Sequence, residues 1–534
     1  IFKKHELSFI KFFLYTSLYS LIFLNFEFFM AFWAIPEVAE NLIITLTIPF
    51  VVFAVIIIFY MFTVLPFIGK YLMAVSVIFS ACVLYMVSAY GVGMTYDMVV
   101  NFAETDTTEA TSYVNIYSVL FVFVLGVVPA FIISRVKIKP MKWYNHILHR
   151  IYLLMIPVII LGGLGSFLYK EYAFIFRANN HLYAQVVPAY QGNVYRYVRD
   201  VYFSDPLPYR TQGEDAVLIP TTNGKPNLFV FVVGETARAE NFSLYGYKRD
   251  TNKYTKKLGV IAPQDVSSCA TSTAKSVPCM FSSLGRSDYD YAIADSQDNL
   301  LDILNKTGVS VMWKDNNSKH YGVPDEKTMA VSFTDRGDDE FCTSNVCYDD
   351  ILLKNIDNEI ANLKTDNKFI VLHTIGSHGP KYYQRYPKEK AEFKPECRNP
   401  EVSKCSTENL INTYDNTILQ TDFVLAEIIK KLKTYQNKYN VALLYVSDHG
   451  ESLGENGLYL HGVPFAIAPE VQTKIPMIIW TSNQYLKANN INKNCLLENI
   501  KKPVSHDNIF HSLLGGYGVK TKVKNESLDI FSCK

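Results

Sequence analysis

A chain of 534 residues that is 49% hydrophobic and only 19% charged is too apolar for an ordinary water-soluble protein of this length. A formal net charge of +1 gives no suggestion of a nucleic-acid partner. The apolar residues crowd into the first third, which describes a membrane anchor joined to a large water-soluble body.

Apolar stretches fall at 9–33, 42–67, 69–91, 115–134 and 151–169. Each approaches or exceeds the ~20 residues that cross ~30 Å of hydrocarbon. Runs such as Ile43–Tyr60 and Val119–Ile133 lack the polar face of a globular amphipathic helix, so five α-helical spans are expected over residues 1–169. The first run is too long for a signal peptide, and no small-residue cleavage site follows it. Lys3, Lys4, Lys70, Arg135, Lys137, Lys139, Lys142 and Arg150 alternate with links holding Glu37, Glu40, Asp97, Glu104, Asp106 and Glu109. The positive-inside bias then predicts a cytoplasmic N-terminus, and an odd number of spans sends the body to the opposite side.

Residues 170–222 form a bridging region rich in tyrosine and arginine, expected either as an interfacial helix at the lipid surface interrupted at Pro188 or as an aromatic-rich linker packed on the body. From 223 to 534 short β-rich runs recur: Leu228–Val233, Val309–Trp313, Lys368–His373, Val441–Val446 and Met477–Trp480. Helical stretches, including Asp349–Lys364 and Glu408–Leu432, fall between them, which predicts an α/β body with a mostly parallel sheet covered on both faces. Of the cysteines only Cys82 lies in a span. The others form close pairs, Cys269 with Cys279, Cys342 with Cys347 and Cys397 with Cys405, while Cys495 and Cys533 make a further candidate pair. Such pairing suits an oxidising periplasm, and the absence of C-x₂-C pairs argues against a zinc–cysteine site.

Chemistry gathers at the strand ends. The first body strand runs into Gly234-Glu235-Thr236, another into Ser447-Asp448-His449-Gly450-Glu451, and a third into His373 and Gly376-Ser377-His378-Gly379-Pro380. Carboxylate oxygen with imidazole nitrogen is a donor set for Zn²⁺ or Mn²⁺, and ligands of such sheets bind at the carboxyl ends of the strands. Between Cys269 and Cys279 lies the hydroxyl-rich Thr271-Ser272-Thr273. A hydroxyl is a poor nucleophile near neutral pH, and a divalent cation beside it lowers its pKa and polarises a phosphoryl oxygen.

With these motifs the chain resembles the membrane-bound phosphoethanolamine transferases that modify lipid A, including the transferable colistin-resistance enzymes. The residues that carry the likeness are Val233-Gly234-Glu235-Thr236-Ala237-Arg238, Thr271-Ser272-Thr273 through Ser276-Val277-Pro278-Cys279, and His373 through Pro380. Ser447 through Glu455, His461-Gly462 and Val504-Ser505-His506-Asp507-Asn508 also match. The resemblance implies an alkaline-phosphatase- or sulfatase-like body, with one zinc or two as cofactor. Glu235, Thr273, Asp448 and His449 would be the metal ligands and Thr273 the nucleophile. His378 and His461 would bind phosphate or a second zinc, one of them acting as general acid. His373 is either reactive or a core histidine, and Glu451 supports the ligands at the substrate side. Asn101, Thr105 and Glu109, four apart, would contact the lipid head group, and Asn317 the phosphate.

The implied partners are phosphatidylethanolamine as donor, lipid A as acceptor and the lipid of a bacterial inner membrane, for a chain acting as a monomer. The implied consequence is polymyxin resistance. Two departures stand out: Tyr321 replaces a lysine usual in the family, with Lys319 and His320 nearby, and Ala270 replaces a glycine. The rivals are a phosphoglycerol transferase of the lipoteichoic-acid type and phosphoethanolamine transfer to an acceptor other than lipid A. A sulfatase would need a C/S-x-P-x-R nucleophile that Thr273 does not supply, and a closed structural zinc would have no need of a hydroxyl loop.

Overall fold

Helix α1 (Phe9–Phe23) and helix α2 (Phe26–Trp33) meet at a 50° bend, so the first apolar stretch is a bent pair. Strand β1 (Glu6–Leu7) precedes them. The structure, a computed structural model, describes residues 6–63, 68–105, 110–111, 113–178, 180–188, 190–317, 320–333, 339–343 and 346–533. Helices α3 (Leu42–Thr63), α4 (Gly69–Tyr90), α5 (Tyr96–Glu104), α6 (Ile116–Arg135) and α7 (Trp143–Ala178) follow. Among the described residues four helices are long and apolar enough to cross a bilayer, or five spans if the bent pair is counted as one. The first of the five expected spans is thus a bent pair of helices, and the other four are single long helices. Asn25 sits at the break and donates from Nδ2 to the Ser20 carbonyl at 2.8 Å.

The fifth stretch begins earlier and ends later than its apolar run, since α7 continues unbroken through residue 170 to Ala178. Only 11% of its most apolar window is buried, and Phe167 and Ile159 are 85% and 65% exposed, as lipid-facing side chains must be. β1 pairs in parallel with strand β2 (Lys137–Ile138), and Lys137 lies 3.2 Å from Glu6. Lys70 donates to the Val136 carbonyl at 3.3 Å. The beginning of the described chain, the link before α4 and the basic link after α6 thus meet. Beyond the long helix a further helix, α8 (Tyr190–Val198), follows Pro188. The chain divides into two compact units, Ile1–Val99 with Tyr113–Ser204, and Val100–Ser112 with Asp205–Lys534.

The second unit is built on a six-stranded sheet. Its strands in chain order are β3 (Asn227–Gly234), β5 (Ser310–Asp315), β6 (Met329–Ser332), β7 (Lys368–His373), β8 (Asn440–Ser447) and β9 (Met477–Thr481), with the short β4 (Val266–Ser267) lying outside it. The order across the sheet is β9-β8-β3-β7-β5-β6; all neighbours are parallel except β9, which runs antiparallel to β8. The sheet is thus mixed, with the sequence-predicted strand at Met477 as an antiparallel edge and β6 as a short edge the sequence did not signal. A continuous apolar run with both faces covered is the pattern of a central strand, and every residue of β3, β7 and β8 is buried.

On one face Phe229, Phe231 and Val233 pack with Val277, Met280 and Phe281 of helix α9 (Thr273–Phe281) and with Leu300, Leu301 and Leu304 of helix α10 (Leu300–Lys306). Helix α11 (Thr407–Thr434) extends the expected 408–432 by a residue or two at each end. The predicted helix over Asp349–Lys364 is instead a 3₁₀ turn (Asp349–Leu353) and a short helix (Ile356–Asn362), separated at Asn355, whose φ of 58° leaves the helical region. Four disulfides join Cys269–Cys279, Cys342–Cys347, Cys397–Cys405 and Cys495–Cys533, all in the second unit.

Phe229 is fully buried, stacks on Phe369 and meets the edge of Tyr485. Phe229→Ala should destabilise the second unit by about 3–5 kcal/mol. Denaturant unfolding of the full chain in detergent checks this, and the membrane helicity should be retained at the midpoint.

Candidate active site

Strand register, rather than any single loop, assembles the site. Ser447 of β8 lies opposite Gly234 of β3, Val233 opposite His373 of β7, and His373 opposite Asp315 of β5. Four parallel strands therefore end flush, and the residues that follow them emerge side by side: Asp448 and His449, Glu235 and Thr236, Thr374, and Asn316 and Asn317. Thr273 arrives from the same direction as the first residue of α9, where backbone N–H groups and the helix dipole favour negative charge.

The Thr273 Oγ lies 3.3 Å from both carboxylate oxygens of Glu235 and 3.2 Å from Nε2 of His449. His449 Nε2 is in turn 3.6 Å from Glu235 Oε1 and 3.2 Å from Asp448 Oδ2. Ligand atoms of Glu235, Asp448 and His449 all fall within 4.8 Å of one another. His449 Nδ1 faces the Gly450 carbonyl at 2.9 Å, so Nδ1 carries the proton and Nε2 presents a lone pair to the cluster.

This donor set fits a divalent cation. Glu235 and Asp448 are 1% and 0% exposed, and among the described residues their ion-pair partner is His449 rather than a lysine or arginine. Burial, followed by His461 beside it, pushes His449 down to about 4, which leaves the imidazole neutral. Burial also raises Asp448 to about 6, against the Thr236 and His449 N–H bonds and the His373 charge that favour its ionised form. Two buried carboxylates and a neutral imidazole thus converge without a lysine or arginine paired to them among the described residues, and a hydroxyl stands beside them.

A second layer holds these groups. Thr236 sits at φ 56°, in the left-handed region, between two of the clustered residues. Its N–H donates to Asp448 Oδ1 at 3.0 Å, its hydroxyl bonds Glu235, and its carbonyl accepts the Tyr414 hydroxyl of α11 at 2.7 Å. Asn317 donates to Glu235 Oε2 at 2.8 Å, so it aims Glu235. Gly376 has φ +47°, and a β-carbon there would lie 2.6 Å from the Glu235 carbonyl oxygen. Asp349 receives the N–H groups of Ile375 and Gly376 at 2.8 and 2.9 Å and the Asn316 amide at 2.8 Å, fixing the loop that leads to His378.

The remaining histidines fall into two settings. The His461 ring is 4.3 Å from that of His449 and 5.8 Å from that of His378, a row of three imidazoles. Glu451, which burial raises to about 8, reaches His461 Nδ1 at 3.2 Å and accepts the Tyr382 hydroxyl at 2.9 Å, so it supports His461 rather than Glu235 or Asp448. His373 is wholly buried, edge-on to Trp313 and 3.3 Å from Asp315. Burial opposes its charge, yet the nearby Asp315, Glu235 and Asp448 carboxylates raise its pKa.

Asn101 lies on α5 and accepts the Thr105 hydroxyl through its carbonyl at 2.8 Å, one turn apart as the spacing required. Glu109 and Lys319 lie outside the described residues. Thr236, Asp349, Tyr382, Tyr414 and His506 take part in this arrangement without a role apparent from the sequence. Thr236 and His506 sat inside the quoted motifs; the others lie in segments without a motif and are brought to the site by packing.

A family model described as Sulfatase matches residues 227–519, and one described as Phosphoethanolamine transferase EptA/EptB matches residues 51–202. Phosphoethanolamine transferase EptA of Escherichia coli strain K12 is 36% identical, over 99% of this chain and 97% of that protein. Phosphatidylethanolamine transferase Mcr-1 of Escherichia coli is 38% identical over 84% of this chain and 85% of its own length. The solved structure of the integral membrane protein lipooligosaccharide phosphoethanolamine transferase A (EptA) from Neisseria meningitidis superposes with a TM-score of 0.93 at 35% identity, covering 98% of each chain.

Gly376→Ala forces a side chain into a left-handed backbone and against the Glu235 carbonyl. A loss of roughly 1–3 kcal/mol of stability is expected. Cation affinity, read by isothermal titration with Zn²⁺, should fall with it because Glu235 must shift.

Proposed function

The chain belongs to the phosphoethanolamine transferase family, and on that premise we propose that it carries phosphoethanolamine from phosphatidylethanolamine to a phosphate of lipid A by way of Thr273. The observation that carries this reading is a single threonine hydroxyl placed within 3.3 Å of Glu235 and 3.2 Å of His449 in a buried, cation-ready cluster. Glu235, Asp448, His449 and Thr273 would hold zinc. When bound, zinc supplies the positive charge that lowers the hydroxyl pKa and offsets charge on the phosphoryl oxygens.

The residues then divide the work. Thr273 Oγ attacks phosphorus; the Oγ–P bond forms as the bond from phosphorus to the glycerol oxygen breaks. Its own proton has carboxylate acceptors within reach at Glu235, 3.3 Å away. Diacylglycerol departs with a proton, for which His461, held through Nδ1 by Glu451 at 3.2 Å, is the donor, while His378 binds phosphate. A lipid A phosphate oxygen next attacks the phosphoethanolamine–threonine adduct, the Oγ–P bond breaks, and Thr273 regains a proton. Covalent capture divides one difficult transfer into two easier ones. Asn317 keeps Glu235 in place beside the phosphate site, and Asn101, Thr105 and Glu109 receive the lipid head group.

The membrane arrangement supports the same reading. β1 and Lys70 meet the link after α6. With α3, α4 and α6 each crossing once, the ends of this stretch share a side only if the bent α1–α2 pair crosses as well. Adding α7 gives five crossings and places the body opposite the basic links. A periplasmic body also agrees with its four disulfides, since that compartment is oxidising.

Purified chain incubated with fluorescent phosphatidylethanolamine should release labelled diacylglycerol and gain the mass of one phosphoethanolamine. Thr273→Ala should lose release by on the order of 10³-fold and show no adduct. Equal release by the variant would sink the covalent reading. Removal of metal by a chelator should lower the unfolding temperature, Zn²⁺ should restore it, and Asp448→Asn should abolish the restoration.

A further inference from the structure

The Val504–Asn508 motif ends beside the nucleophile loop. Strand β10 (Val504–Ser505) pairs in parallel with β4, Val504 opposite Val266 and Ser505 opposite Ser267. The next residue, His506, is 1% exposed. Its Nδ1 accepts the Cys269 N–H at 2.9 Å, and its Nε2–H donates to the Ser447 carbonyl at 2.9 Å. The two partners assign the tautomer, since a backbone amide can only donate and a carbonyl only accept.

Those partners belong to the two halves of the site. Cys269 opens the disulfide-closed loop that contains Thr273. Ser447 ends β8, directly before Asp448 and His449. Besides the contacts of the Thr273 hydroxyl with Glu235 and His449, the loop bonds locally from Ala270 N–H to Ser276 Oγ at 3.1 Å and outward from Thr271 Oγ to the Val463 carbonyl at 2.6 Å. Asp507 adds a second hold by accepting the Arg286 N–H at 2.8 Å, beyond the far end of α9.

We propose that His506 is a positioning residue for the transfer reaction, bracing Cys269 against Ser447 and so setting the separation of Thr273 from the Glu235–Asp448–His449 cluster. The inference rests on the transferase reading for its kinetic consequence and on geometry alone for the brace. A rigid five-membered ring with an acceptor on one edge and a donor on the other spans a fixed gap that a flexible side chain would not fix. Protonation would replace the Nδ1 lone pair with a second donor facing Cys269 N–H; burial pushes His506 down to about 3 and keeps the ring neutral. A displacement of about 1 Å at the nucleophile can cost ~10²-fold in rate. His506 bonds the backbone of Cys269 and Ser447 and none of the residues assigned to the lipid head group, so the loss is expected in kcat and not in KM.

The test uses the full chain in detergent micelles, as wild type, His506→Phe and His506→Gln. His506→Phe fills the same space without either polar contact, and should lower kcat by on the order of 10²-fold with KM within about twofold. His506→Gln, whose amide can accept and donate, should recover about a tenth of the wild-type rate or more. Hydrogen–deuterium exchange of a peptide covering 269–273 should be at least about tenfold faster in His506→Phe while core strand β3 stays protected. Unchanged exchange, unchanged kcat, or a loss that appears only in KM would overturn the proposal. If wild type forms no adduct and releases no diacylglycerol, the transferase reading fails instead, and the exchange result alone decides whether the brace exists.

Discussion

Two carboxylates, Glu235 and Asp448, are buried together with only a neutral imidazole between them. Like charges removed from water repel and lose hydration, so the surroundings must hold them against their own preference until a cation arrives. Thr236 in a left-handed conformation, Asn317 on Glu235, and Gly376 pressed against the Glu235 carbonyl are that holding structure. The strain sits where the proposed chemistry needs a fixed geometry, which is the usual place for it.

The sheet makes the arrangement affordable. Central parallel strands bury both faces and are held in register, so residues just beyond β8, β3, β7 and β5 occupy fixed lateral positions. A one-residue slip in β8 would move Asp448 into the strand and turn its side chain to the other face. Hydrophobic burial of Phe229, Phe231 and Val233 therefore specifies the position of Glu235. Packing and chemistry are coupled through register.

The membrane unit follows a different logic. Its outer side chains face hydrocarbon, so hydrophobicity alone says little about how the helices meet. Polar contacts fix the interior instead: Asn25 donates to the Ser20 carbonyl and also bonds the Val187 N–H and C=O, and Ser20 bonds Tyr60. In the apolar surroundings of the bundle such bonds mark where the chain breaks and where the segment after α7 docks onto it.

Much was legible in the order of residues. Continuous apolar runs separated the spans and the central strands, because burial on all sides leaves no polar face to hide. Asp448-His449 and Gly234-Glu235 after such runs announced donors at strand ends, and the close cysteine spacings limited the pairing. Less visible were the bend at Asn25, which leaves hydropathy unchanged, the break at Asn355, and the edge strand Met329–Ser332, whose residues are largely exposed. Glu451 lay close in sequence to His449, yet its partner is His461, since a turn after β8 carries it away.

Sequence determined which atoms are available: the spans, the strand runs, the hydroxyl loop and the metal-type donors are local properties of side chains and their spacing. Tertiary structure alone decided which atoms meet. The distance from Thr273 to Glu235, the support of Glu235 by Asn317, and the reach of His506 from Cys269 to Ser447 join residues tens to hundreds of positions apart. Such contacts depend on strand register and sheet order, and neither is written in any one segment.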